Sequence, residues 1–207
     1  MATAFPTETI PPQLKELILQ SLEHERGGVL VYQTALECAV NDDLREEWTT
    51  YLEQTEHHVE ILAGVCDTLG LDAGEMTPGC KVVQHTGKSL VVAMKMALAE
   101  GDAAAAELVA CECVVLAETK DHADWELIGQ CAKALSGDTA TALQAAYDEV
   151  EDQEDEHLYH TKGWCRELWL KALGFEAVLP PPEEQKDVKS ATGAARAKQA
   201  RKELLKH

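Results

Sequence analysis

The sequence predicts an all-α fold, a four-helix bundle built as two antiparallel hairpins joined by a long crossover. Three observations carry that prediction. Apolar residues recur in steps of three and four through four long segments. Val and Ile follow the same spacing and never form alternating runs, so no strand is expected. The connections run short, long, short, which is one of the common ways to wire such a bundle. Composition agrees: 45% hydrophobic but only 5% aromatic residues suits closely packed helices better than stacked sheets. At 207 residues the chain can bury one substantial core. Residues 1–176 are expected to form that helical domain, and residues 177–207 a Pro-rich break and a basic tail.

The first helix is expected from Pro11-Pro12 to about residue 40, with Ile18, Leu22, Glu25, Val29, Tyr32 and Leu36 on its inner stripe. Gly27-Gly28 inside it lowers helix stability and suggests a close helix approach or a bulge. Asn41-Asp42-Asp43 supplies a turn, an N-cap and acidic residues for the next helix. That helix covers residues 44–69, with Trp48, Leu52, Thr55, Val59, Leu62, Cys66 and Leu69 in line and Gly70 as its stop. Residues 71–103 form the crossover, with a short helix near residues 89–100. The third main helix spans residues 103–135 and aligns Leu108, Cys111, Val115, Glu118, His122, Trp125 and Ala132. Ser136-Gly137-Asp138 ends it and caps the fourth. The fourth helix reaches Leu173-Gly174 and aligns Leu143, Tyr147, Val150, Glu154, His157, Thr161, Trp164 and Leu168. Pro180-Pro181-Pro182 is a rigid break. Beyond it, residues 191–205 are Ala-rich and basic and are expected to fold back on the acidic body.

Charge and cysteine usage narrow the function. The net charge of −19 disfavours a grip on nucleic acid or an anionic membrane. No apolar run is long enough to span a bilayer, and MATAFPTETIPPQ does not read as a secretory signal. The seven cysteines are irregularly spaced with no C-x-x-C pair, as in a cytoplasmic protein with reduced thiols.

The inner stripes carry polar residues that can share a level within each hairpin; the crossover decides whether the two levels coincide. Glu25 comes from the first helix, Glu118 and His122 from the third, and Glu154 and His157 from the fourth. Helix two places Thr55 on its stripe with Glu56 and His58 on the borders. Folding each hairpin about its turn brings Glu25 opposite His58, and Glu118 opposite the stretch from Glu154 to His157. No Lys or Arg stands on any stripe to neutralise the buried glutamates. Protonated carboxyls, His–Glu ion pairs or bound metal remain as solutions. Carboxylate and imidazole donors suit Fe, Mn or Zn, and residues three apart on a helix reach one ion together. His24, His85 and His160 fall at the surface or on stripe borders. Tyr32 and Tyr147 lie two turns from Glu25 and Glu154.

This arrangement resembles the ferritin-like superfamily of di-iron and di-manganese carboxylate proteins, nearest to its rubrerythrin-like or small stress-related branch. Those bundles take a Glu from each of two helices and a Glu-x-x-His from each of the other two. Glu25 and Glu118 match the single glutamates, and Glu154-Asp155-Glu156-His157 matches the paired motif. Helix two departs from it: Thr55-Glu56-His57-His58 keeps the His but has Thr where Glu is expected, with Glu56 one step round. The resemblance implies one or two Fe or Mn ions held by Glu25, Glu118, Glu154 and His157, with Glu56, His58 and His122 completing the set. It also implies an oxidoreductase of peroxidase, ferroxidase or catalase type acting on oxygen, peroxide or ferrous ion, and allows a homodimer. The alternative is a metal-free stress or interaction protein whose core Glu–His pairs neutralise one another.

Overall fold

Prolines and capping side chains set most helix starts. The computed structural model describes residues 10–206; the stretch on which the signal-peptide reading partly rests, residues 1–9, lies outside them. Helix α1 (Pro12–Cys38) begins with proline in its first turn, where no amide donor is needed. The Asn41 side chain accepts from the Leu44 amide and opens α2 (Asp42–Leu69), which ends on Gly70 in left-handed conformation. Thr77 accepts from the Cys80 amide to start α3 (Pro78–Ala99), and Asp102 caps α4 (Ala103–Ala134). Ser136 precedes α5 (Gly137–Ala172) without a side-chain capping bond, contrary to the expected cap. Gly137, at φ +74°, makes that turn in the left-handed region. Two further helices, α6 (Pro182–Gln185) and α7 (Ala191–Leu204), complete an all-α chain with no strand among the described residues.

Four of these helices form a ring. α1 packs on α2, α2 on α5, α5 on α4, and α4 on α1, while the backbones of the diagonal pairs stay apart. α3 lies outside the ring against α1 and α4. It begins at residue 78, well before the expected 89–100. The Thr77-Pro78 start signal was present in the sequence, but Gly79 and Gly87 obscured the helical run. Both glycines serve contact instead: a Cβ at Gly79 would strike the Glu16 and Gln20 side chains, and at Gly87 would come within 3.7 Å of Gly27 Cα. The expected close approach at Gly27-Gly28 is therefore real, with α3 on one side and Thr55 of α2 on the other.

The tail packs on α5. Glu167, fully buried, accepts from Arg166 at 2.9 Å, Arg201 at 2.8 Å and the Val178 amide at 2.9 Å. Arg166 also forms a forked pair with Glu183, and Lys189 reaches Glu156. No helix among the described residues is long and apolar enough to cross a membrane.

Two apolar clusters fill the ring. One gathers Tyr32, Trp48, Tyr51, Val114 and Trp164; the other gathers Leu22, Leu62, Trp125, Ile128 and Val150. Along every ring helix, the segment between them carries polar residues. That layer positions the site.

Candidate metal centre

The layer is dry. Glu25, Thr55, His58, Glu118, Asp121, Glu154, His157 and Thr161 are all buried. His58 Nδ1 stands 3.4 Å from Glu25 Oε1 and 3.1 Å from Glu154 Oε1. His157 Nδ1 stands 3.6 Å from Glu118 Oε2 and 3.5 Å from Glu154 Oε1. Two triads result, Glu25–His58–Glu154 and Glu118–Glu154–His157, each with one donor atom per residue inside 4.8 Å of the others. Glu154 belongs to both. Among the described residues, no Lys or Arg pairs with any of these carboxylates.

The outer face of each imidazole is tied down reciprocally. His58 Nε2 donates to Gln153 Oε1 on α5 at 2.9 Å, and His157 Nε2 donates to Gln54 Oε1 on α2 at 2.7 Å. Each Gln lies one turn before the other's histidine, so Gln54-Thr55-Glu56-His57-His58 and Gln153-Glu154-Asp155-Glu156-His157 act as a pseudo-symmetric pair. Spending Nε2–H on the glutamines leaves each Nδ1 as the inward-facing atom. The supporting aromatics follow the same relation. Trp125, seven residues past Glu118, donates from Nε1 to Glu25 Oε1 at 2.7 Å. Tyr32, seven past Glu25, lies near Glu118, and burial followed by the Glu118 charge raises its pKa well above 10.

The symmetry breaks at two places. Thr55 stands where the other half has Glu154, and Gly28 stands where it has Asp121. A Cβ on Gly28 would lie 3.2 Å from Thr55 Cγ2, so the neutral pair lets α1 and α2 close together. Asp121 is buried, and burial followed by the charges of Glu25, Glu154 and Glu118 raises its pKa well above 3.8.

Inward atoms lack partners. Glu25 Oε2, Glu118 Oε2, Asp121 Oδ1, both Glu154 oxygens and the Nδ1 atoms of His58 and His157 close no hydrogen bond. Each such orphan costs about 1–3 kcal/mol, more when charged. Titration relieves part of this. Burial, then the neighbouring Glu118 and Glu25 charges, pushes Glu154 up to about 7 against the pull of His58 and His157. Burial disfavours a proton on His58, yet Glu154 and Glu25 outweigh it and raise the imidazole well above 6.5. Burial also pushes Glu118 up, but the facing His157 outweighs it and the net shift is downward. Protons thus hold the place of missing positive charge.

The structure brings Glu25, His58, Glu118, Glu154 and His157 together, placing in one layer two levels that the sequence leaves open. Glu56 and His122 do not join them. Glu56 is exposed, one helical step beyond the inward Thr55. His122 is only partly buried and lies 2.7 Å from Asp155 Oδ1 at the rim. His160 corrects another expectation: it is buried beneath the tail, bonded to Glu47 at 2.8 Å and to the Val188 carbonyl at 3.1 Å. Tyr147 packs over Gly129 and donates its hydroxyl to Glu151, outside the layer. Asp121, Gln54 and Gln153 went unread. Asp121 lies three residues after Glu118 at the edge of the stripe, and each Gln bonds a histidine on the helix opposite, so neither stands out in the sequence.

Three carboxylates and two imidazole nitrogens, all unpartnered on their inner atoms, form a donor set that fits a divalent transition metal. No family model matches the chain, and no curated protein or solved structure is similar to it.

Proposed function

We propose that this chain is a ferritin-like metalloprotein, with α1, α2, α4 and α5 as its four-helix bundle and one or two iron or manganese ions between them. A single observation carries the reading: five acidic and imidazole side chains meet in a dry layer with orphaned inner atoms and no basic neighbour. Glu25, His58, Glu118 and His157 would hold the metal together with Glu154, the one residue common to both triads. Gln54 and Gln153 fix the histidine tautomer and ring plane, which raises ligand basicity. Trp125 orients Glu25 through its indole N–H. The apolar clusters on either side exclude bulk water. A bound metal pair would supply redox chemistry toward oxygen or peroxide, or accept ferrous ion as a substrate. A reducing, cytoplasmic setting suits the seven unpaired cysteines.

Thr55 in place of a second bridging carboxylate makes the two positions unequal. Glu154 is the one carboxylate common to both, so the reading predicts one tight and one weaker ion.

The competing reading is a metal-free bundle in which His58 pairs with Glu25 and Glu154, and the raised pKa of His58 favours it. Metal analysis of tag-free protein separates the two. The metal reading expects near-stoichiometric Fe or Mn, lost in Glu154→Ala and His157→Ala, and a lower melting temperature after chelation. Metal content unchanged in both variants, or chelation without effect, would reject it.

A further inference from the structure

A buried metal centre needs a way in, and one pocket reaches it. The pocket holds about 160 Å³ between α4, α5 and the start of α7, and Glu154 forms part of its wall. Glu126 and Glu151 stand exposed in its lining, with His122 and Asp155 half-buried beside them. Ala191, exposed at the first turn of α7, closes one side. The pocket is thus lined by two exposed carboxylates, a half-buried imidazole and carboxylate, and a carboxylate that is 1% exposed and has neither oxygen hydrogen-bonded.

The other cavities do not have this property. A cleft between α1, α3 and α4 is apolar and lined by no carboxylate. A second acidic pocket carries Asp43, Glu46, Glu47, Glu156, Glu184 and Asp187, and apart from one Glu184 oxygen the buried part of its wall is already committed. There Glu47 accepts from Tyr51, His160 and Trp164, and His160 also reaches Val188. Acidic surface is common to both pockets; the orphaned oxygen in the second belongs to half-buried Glu184, outside the polar layer, whereas in the first both orphaned oxygens belong to Glu154, a member of both triads.

We propose that the pocket lined by Glu126, Glu151, His122 and Asp155 is the loading route by which a divalent cation reaches Glu154. The inference rests on the metal-centre reading and adds the path and its residues. Carboxylates along a low-dielectric wall concentrate cations and raise association rates by about 10–1,000-fold. The space suits an ion carrying several waters, each taking about 30 Å³. Inside, His122 and Asp155, which hold one another at 2.7 Å, exchange that contact for the ion as waters are shed, and Glu154 receives the ion at the far end. His122 therefore belongs to the route and not to the resident ligand set.

Stopped-flow mixing of cobalt(II) chloride with metal-free full-length protein tests this through the visible absorption of the bound ion, with final stoichiometry measured after dialysis. Glu126→Gln combined with Glu151→Gln removes route charge at exposed positions, and Ala191→Trp narrows the mouth without changing charge. Each should slow uptake at least tenfold while leaving stoichiometry unchanged, and added salt should slow the wild-type protein. Glu46→Gln combined with Asp187→Asn, in the other acidic pocket, should stay within twofold of wild type. Uptake at the wild-type rate in both route variants, or equal slowing by the control pair, would overturn the route. Wild-type protein that takes up no cobalt would instead overturn the metal centre on which the route depends.

Discussion

Replacing Glu154 with Gln should change stability in opposite directions with and without metal. The side chain is buried among like charges, and its pKa is pushed from 4.5 to about 7. A folded-state value above the unfolded one means the folded chain binds the extra proton between those limits. Stability from this group is then complete below pH 4.5 and lost as pH rises through 7. A shift of that size corresponds to about 3 kcal/mol at full ionisation. Gln keeps the shape and removes the charge, but it also takes one of two carboxylates from His58. The metal-free variant should therefore gain roughly 1–3 kcal/mol at pH 8, a melting-temperature rise of roughly 3–10 °C for a chain of this size. At pH 4 it should match wild type. With Mn(II) at a thousandfold excess over Kd, the wild-type protein should gain about 4 kcal/mol per site and the variant almost none, because Glu154 serves both triads. Thermal melts at both pH values, with chelator and with Mn(II), read all four states. A variant that is less stable without metal at pH 8, yet gains as much from Mn(II) as wild type, would refute the reasoning.

Gln153→Leu and Gln54→Leu should each weaken metal affinity about 10–100-fold without changing stoichiometry, because they free the outer nitrogen of His58 or His157; equal affinity by competition titration would argue against the tautomer lock. Metal binding should release protons, since the raised pKa values of His58 and Glu154 keep protons where the ion would sit. Affinity should accordingly rise with pH through 7, and a pH-stat titration showing no release would contradict this. Glu167→Ala should detach the tail, removing the acceptor shared by Arg166, Arg201 and the Val178 amide. The loss is about 3–5 kcal/mol if the paired charges stay buried, and trypsin should then cut faster at Arg196 and Lys198. Unchanged cleavage would mean other contacts hold α7.

The ring helices and most of the centre were legible because burial imposes a period. Glu25, Glu118, Glu154 and His157 replace apolar residues at positions that heptad spacing turns inward, and His58 lies close enough to the same stripe to follow. Glu56 is one residue from the inward Thr55, and that offset rotates a helical side chain by about 100°, enough to put it in solvent. The stripe could not show Asp121, which lies at its edge and is buried only once α4 is packed against its neighbours. The glutamines were invisible for a different reason. A lone Gln carries no signal until the helix packing opposite supplies its histidine. The position of α3 and the burial of His160 depend on which surfaces the crossover and tail cover, and no local pattern encodes that.

Anomalous diffraction from crystals grown with Mn(II) addresses the metal centre most directly. A strong peak bounded by Glu154 and either Glu25 with His58 or Glu118 with His157, with a weaker one in the other triad, is the result expected. Crystals with no anomalous density in this layer, and with His58 hydrogen-bonded to Glu25 and Glu154 instead, would contradict it.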